Sequence, residues 1–253
     1  MVSDLAPNLN LVVLLTACIN PGNINSVGRR DPNNRLNDYI NSLKYWLRLP
    51  RIMNIVFCEN SGFDLSDIQE VIRISNPYHK KVEVLSFYGQ PVHPEFGKGY
   101  GEMRIINYAL EHSNIIIKES NMVMKVTGRL VVKNAKAIAS AISKTDGIDI
   151  FCDLRQNLTF ADSRVFCATP RFLRKYFMSF LEIMNESAGI CFEDVLARAV
   201  HRAMADGLRW SMLPYAHDLR GISGTTNKYI LSSRSNFIFR KLFRTVKAAV
   251  FSR

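Results

Sequence analysis

The chain has 253 residues, 47% of them hydrophobic, and a formal net charge of +11. That suffices for one sizeable α/β domain, or one domain with a small appendage, and excludes a fold that depends on disulfide or metal staples. The five cysteines (Cys18, Cys58, Cys152, Cys167, Cys191) are odd in number, lack CxxC spacing and sit among apolar neighbours, as buried thiols in a reducing compartment would. The excess charge calls for a polyanionic neighbour. It gathers at the end: from Arg220 to Arg253 there are eight Lys and Arg and no Asp or Glu.

Leu11 to Cys18 is a β-rich apolar run that stops at Asn20-Pro21-Gly22, a turn signal, and reads as a buried first strand. Extended to Ile19 it is still too short to span a bilayer, and no basic segment precedes it, so a cytoplasmic protein is expected. Leu36, Ile40, Leu43, Trp46 and Leu47 recur at helical spacing, and Pro50 closes that helix before a second strand, Ile52 to Cys58. The alternation continues with a helix over Leu65 to Ile74, a strand at Val82 to Phe87, a helix from Tyr100 to Glu111 and a strand at Met122 to Val126. Strands alternating with helices predict an α/β fold with a mostly parallel sheet flanked by helices. Ligands of such sheets bind beyond the carboxyl ends of the strands, here after Cys18, Cys58 and Val126.

The second half predicts strands at Ile148 to Cys152 and near Val165 to Cys167, and helices from Pro170 to Met184 and Cys191 to Ala205. No repeat or linker appears. We expect one domain over 1–228, with a nucleotide-binding half over about 1–130 and an acceptor half over about 131–228, then a basic tail over 229–253. In that tail Phe239, Leu242, Phe243, Val246 and Val250 share one helical face, while Arg240, Lys241, Arg244 and Lys247 occupy much of the rest. Such a helix either lies in an anionic membrane surface, through 234–253, or docks on the core with a solvated basic face.

Several clusters fall at the predicted ligand edge. Thr16 and Asn20 end the first strand and open its loop. Glu59 and Asn60, in Phe57-Cys58-Glu59-Asn60-Ser61-Gly62, suit a ribose or base, and equally an ordinary loop cap. Gly97-Lys98-Gly99-Tyr100-Gly101-Glu102 reads as a phosphate cradle at a helix start or as a structural turn, and it is not a Walker pattern. Lys125-Val126-Thr127-Gly128-Arg129-Leu130 is the most specific piece, with Thr127, Gly128 and Arg129 at the strand end. Asp153 with Arg155, and Asp162 with Arg164, either line an acceptor pocket or form salt-bridged rims. Glu193 and Asp194 open a helix, where they either cap it or supply a general base. The loop Arg220 to Asn227 is long enough to fold over a ligand, or to act as a hinge into the tail. His201 and His217 read as structural.

In glycosyltransferases with the GT-A fold, a buried strand at the position of Met122 to Val126 ends in an Asp-x-Asp motif that holds Mn²⁺ or Mg²⁺ against the donor diphosphate. This chain has Thr127-Gly128-Arg129 there, and in that turn it resembles bacterial surface-polysaccharide (lipopolysaccharide or capsule) glycosyltransferases, over roughly residues 10 to 200. The resemblance implies a nucleotide-sugar donor, a glycan or lipid-linked acceptor and a base at Glu193 or Asp194. With the Asp-x-Asp motif missing, the cofactor stays open: Arg129 either neutralises a leaving phosphate without a metal or pairs with a carboxylate to fix a turn.

Two other classes compete. The basic charge and 10% aromatic content admit a nucleic-acid-binding protein, but the bases gather in an amphipathic tail rather than among exposed aromatics, so no nucleic-acid partner is expected. The same fold without catalysis would give a scaffold within a polysaccharide assembly complex.

Overall fold

The seven apolar-rich residues Leu11–Ala17 form β1, buried almost throughout and paired in parallel on both sides, as a continuous hydrophobic run requires. The computed structural model describes residues 11–24, 27–89, 94–116 and 122–231. After β1, α1 (Pro32–Leu47) starts where Asp31 accepts the Asn34 amide at 2.7 Å and Pro32 takes the first helical position, and it stops before Pro50. Then follow β2 (Asn54–Glu59), α2 (Ser66–Ile74), β3 (Lys81–Ser86), α3 (Gly97–His112) and β4 (Met122–Thr127). The periodicity of the first half is thus realised element by element.

The second half is built from shorter pieces. They are β5 (Val131–Val132), α4 (Ala135–Ile142), β6 (Ile150–Phe151), the hairpin β7 (Leu154–Arg155) with β8 (Phe160–Ala161), and β9 (Val165–Ala168). The helix expected from Pro170 to Met184 is broken: α5 (Pro170–Phe172) gives way to a π segment, Leu173–Phe177, and a 3-10 segment, Met178–Ile183. α6 (Phe192–Ala205), β10 (Trp210–Ser211), β11 (Leu219–Ile222) and β12 (Tyr229–Leu231) complete the fold. Tyr229–Leu231, where the sequence placed the start of the tail, pairs with β11 as a strand of the domain. Residues 232–253, with the basic amphipathic helix expected there, lie outside the described residues.

The main sheet runs β10-β6-β9-β4-β1-β2-β3, parallel across β4, β1, β2 and β3 and antiparallel at β9. It is a mixed α/β fold with a mostly parallel sheet covered on both faces. Alternate residues of each strand serve opposite cores. Val12, Leu14, Val56 and Cys58 face α3, α6 and the broken helix, while Val13, Leu15, Ile55 and Phe57 face α1, α2 and α4. The chain winds outward from β1 to β3, then crosses back to lay β4 on the other side of β1. The order of strands reverses there, and a crevice opens beyond their carboxyl ends.

Three of the cysteines are buried and two half-buried, and all five are free thiols. Among the described residues no helix is long and apolar enough to cross a membrane.

Candidate functional site

A cavity of about 230 Å³ lies at that switch point, walled by the ends of β1, β2 and β4, the first turns of α3 and α6, and the turn between β11 and β12. The register sets Thr16 level with both Cys58 and Thr127. Both threonine hydroxyls therefore reach one acceptor, Glu102 Oε1, at 2.7 and 3.3 Å. Lys125, fully buried and two residues before Thr127 on the same face of β4, sends its ammonium to Glu102 Oε1 at 2.7 Å and to the Ser163 carbonyl at 2.6 Å. It also lies 5.2 Å from the Phe192 ring centre. Burial alone would raise the Glu102 carboxyl, but the charge and hydrogen bond of Lys125, with the Thr16 hydroxyl and the Arg129 charge, hold it below its ordinary value.

Gly128 lets the two strand ends meet. Its N–H donates to Thr16 O at 2.8 Å, and a Cβ there would stand 2.6 Å from that same oxygen. Gly128→Ala must push β4 off β1, which should cost about 1–3 kcal/mol and lower Tm by roughly 2–10 °C. A melting curve matching the native protein's would refute the close approach.

Arg129 follows, and its Nε donates to Ile222 O at 3.0 Å. Of the expected loop Arg220 to Asn227, Arg220 to Ile222 belong to β11, and the rest is the turn of a hairpin folded over the cavity. Its Gly224 carbonyl accepts from the Gly28 and Arg29 amides at 2.9 and 3.2 Å, and Thr225 Oγ1 accepts from Lys98 Nζ at 2.6 Å. Gly224 lies against the Arg129 guanidinium so closely that a Cβ would stand 2.4 Å from Nη2.

Glu193 and Asp194 are neighbours in sequence with separate fates. Glu193 lines the cavity, its Oε1 accepting from Ser163 Oγ at 2.6 Å. Asp194 Oδ2 accepts from the Cys191 amide at 3.3 Å and its thiol at 3.0 Å, capping α6. Asp194 thus lies off the cavity lining and caps the helix, the other role the sequence allowed it.

The expected acceptor cluster divides too. Asp162 is buried and binds Arg155 at 2.7 Å, Arg164 at 2.5 Å and His217 at 3.3 Å. Burial would raise its carboxyl, but the Arg164 and His217 contacts hold it well below the ordinary value. Only Arg164 reaches the cavity wall; Asp153 and Arg155 lie off it, and Asp162 stands behind as the anchor. His201 meets the Leu158 carbonyl at 2.8 Å, as a structural histidine would.

At the end of β2, Asn60 is on the wall, its Nδ2 donating to Gly101 O at 3.3 Å and its buried Oδ1 unpartnered among the described residues. Glu59 is not on the wall: its carboxylate is consumed by the amides of Ile19 and Ser61, both at 2.9 Å, and by the Ser61 hydroxyl. Asn20 is likewise a turn residue, accepting from Gly22 N at 3.2 Å and donating from its own amide to Ser61 Oγ. Gly97 and Gly99 of α3 pack against Glu186 and Met184. Gly99 N–H is capped by Glu186 Oε1 at 2.9 Å, and a Cβ on Gly99 would strike Met184 at 2.4 Å. Of that segment Lys98, Gly101 and Glu102 face the cavity.

The wall residues suit a divalent ion poorly. Among the described residues no three His, Cys, Asp or Glu side chains gather as a metal site, and the wall's two carboxylates are engaged by Lys125 and Ser163. Sequence reasoning gave no role to Arg35, gave Glu102 and Lys125 none of their own within their motifs, and placed Ser163 only in the polar cluster Phe160 to Arg164. A lysine inside an otherwise apolar parallel strand was the available signal, because a buried ammonium must have a partner.

No family model matches the sequence, and no curated protein matches it. Among solved structures the chain is similar to a cytidylyltransferase from Leptospira borgpetersenii, at 12% identity and a TM-score of 0.47, over 96% of this chain and 88% of that one. It is similar to the glycosyltransferase GlyE of Streptococcus pneumoniae, at 10% identity and a TM-score of 0.45, over 80% of this chain and 45% of that one. Mouse xyloside xylosyltransferase 1 is similar at 10% identity and a TM-score of 0.42, over 80% of this chain and 84% of its own.

Proposed function

We propose that the protein is a glycosyltransferase that moves a sugar from a nucleotide-sugar donor to a glycan or lipid-linked acceptor of the lipopolysaccharide or capsule type, at the cytoplasmic face of a membrane. The observation that carries this is the cavity itself, whose lining brings Arg129 and Lys98 together with a carboxylate, Glu193, that accepts from the Ser163 hydroxyl. In this reading Asn60, with its unpartnered buried oxygen, contacts the nucleoside. Glu193 accepts the acceptor's hydroxyl proton as the new C–O bond forms at the sugar's anomeric carbon. The bond from that carbon to phosphate breaks, and its electron pair leaves with the nucleotide, whose charge the cations offset. The spacing of Phe239, Leu242, Phe243, Val246 and Val250 beside four bases supports a membrane-surface location.

The test is nucleotide release. The full chain is incubated with uridine, guanosine, thymidine and cytidine nucleotide sugars and a membrane glycolipid extract, and free nucleotide and labelled lipid are measured together. Transfer of label supports the proposal. Release of pyrophosphate from a nucleoside triphosphate and a sugar phosphate, with no transfer from any nucleotide sugar, would make it a nucleotidyltransferase instead.

A further inference from the structure

Most cations around the cavity have a carboxylate. Arg29 grips Asp38 with two nitrogens at 2.6 and 3.1 Å, Arg155 and Arg164 share Asp162, and Lys125 holds Glu102. Three cations on the cavity wall differ: among the described residues Arg35, Lys98 and Arg129 form no ion pair. Arg35 is only 4% exposed. Its guanidinium is oriented by Cys18 O at 2.7 Å, Arg29 O at 3.0 Å and Tyr39 Oη at 3.3 Å, which satisfy hydrogen bonding but supply no negative charge. Arg129 uses Nε alone, and Lys98 holds one threonine hydroxyl. Burying a cation without a bonded counter-charge is costly, and with Arg35 buried, Arg129 half-buried beside the charge of Glu102 and Lys98 exposed, a wall that gathers all three suits an anion.

We infer that Arg35, Lys98 and Arg129 together take the diphosphate of the donor and do the charge neutralisation that a divalent ion would otherwise do. The inference rests on reading the cavity as a nucleotide-sugar site. A nucleoside diphosphate group brings two or three negative charges, and guanidinium forks match phosphate oxygens in geometry as well as charge. A hard divalent ion wants about six oxygen ligands, and three fixed cations would repel it. As the anomeric C–O bond breaks, the electron pair moves onto a phosphate oxygen, and the same cations stabilise that charge without rearranging.

The test uses inorganic pyrophosphate and the full chain, by calorimetry at low salt, in EDTA and again with Mn²⁺. The expected result is equal affinity in both, within about twofold, and a loss of about 10-fold or more in Arg129→Gln and in Lys98→Gln. Arg73→Gln, in an exposed pair with Glu70, should bind like the native protein. Binding that appears only with Mn²⁺, or that both cavity variants retain, overturns the clamp. The two proposals fail separately. Metal-free pyrophosphate binding without sugar transfer keeps the clamp and removes the transferase, while sugar transfer that needs Mn²⁺ keeps the transferase and removes the clamp.

Discussion

Glu193→Gln is expected to lower kcat by roughly 10²-fold or more while nucleotide affinity and Tm stay near those of the native protein. A sugar hydroxyl is a weak nucleophile, and the amide cannot take its proton. The substitution is nearly isosteric, and Gln can still accept from Ser163 Oγ, so the local structure should survive. Asp194→Asn should behave in the opposite way. Its carboxylate caps α6 at Cys191, and weakening that cap costs about 1 kcal/mol of stability with little change in kcat. Steady-state kinetics and melting curves on the two variants decide the assignment. Turnover that persists in Glu193→Gln, or that is lost in a folded Asp194→Asn, would reverse it.

The second large effect belongs to the ion pair under the cavity. Lys125→Met should cost about 3 kcal/mol and lower Tm by roughly 6–12 °C, because it strands Glu102 in a site where burial disfavours its charge. Glu102→Gln should cost at least as much, since it leaves a wholly buried ammonium without its anion. The double variant should recover much of the loss, because removing both charges also removes the penalty that each single change creates. Denaturant titrations arranged as a double-mutant cycle would then show coupling of at least 0.5 kcal/mol. Additive losses would mean that the pair contributes nothing as a pair.

The parallel half of the sheet was legible because its strands carry their own signal: LVVLLTA and NIVFCE are buried on both faces, and turn residues separate them from amphipathic helices. The β5, β7, β8 and β10 strands are two residues long, too short for any period to show. The segment after Pro170 reads as one helix because its apolar spacing is helical, yet its hydrogen bonding passes from α to π to 3-10. Of the residues expected at the ligand edge, Thr16, Asn60, Lys98, Thr127, Arg129, Arg164 and Glu193 line the cavity; they were expected from their places at strand and helix ends, and Thr127, Arg129 and Glu193 also from the resemblance. Glu59 and Asp194 have the same signature but are consumed by nearby amides, a distinction that only coordinates supply. Arg35 was missed because it sits in an ordinary amphipathic helix and reads as a solvated residue, while in fact it turns inward under the loop after β1.

The hairpin over the cavity also fixes when the site can exist during synthesis. β1, β2 and β3 are all made before residue 90, whereas the contacts that roof the cavity join residues 93, 127 and 198 positions apart. At about 5–20 residues per second, β11 leaves the ribosome on the order of ten seconds after β3. The sheet can gather while the crevice beside β1 still stands open, with Arg35 and Arg129 uncovered. Because β11 and β12 follow every strand that borders the crevice, the roof is the last part of the site that synthesis can supply. A nascent or truncated chain that ends before β12 would therefore keep its central strands paired and lack an enclosed site, so competence for a ligand arrives only with the last described strand.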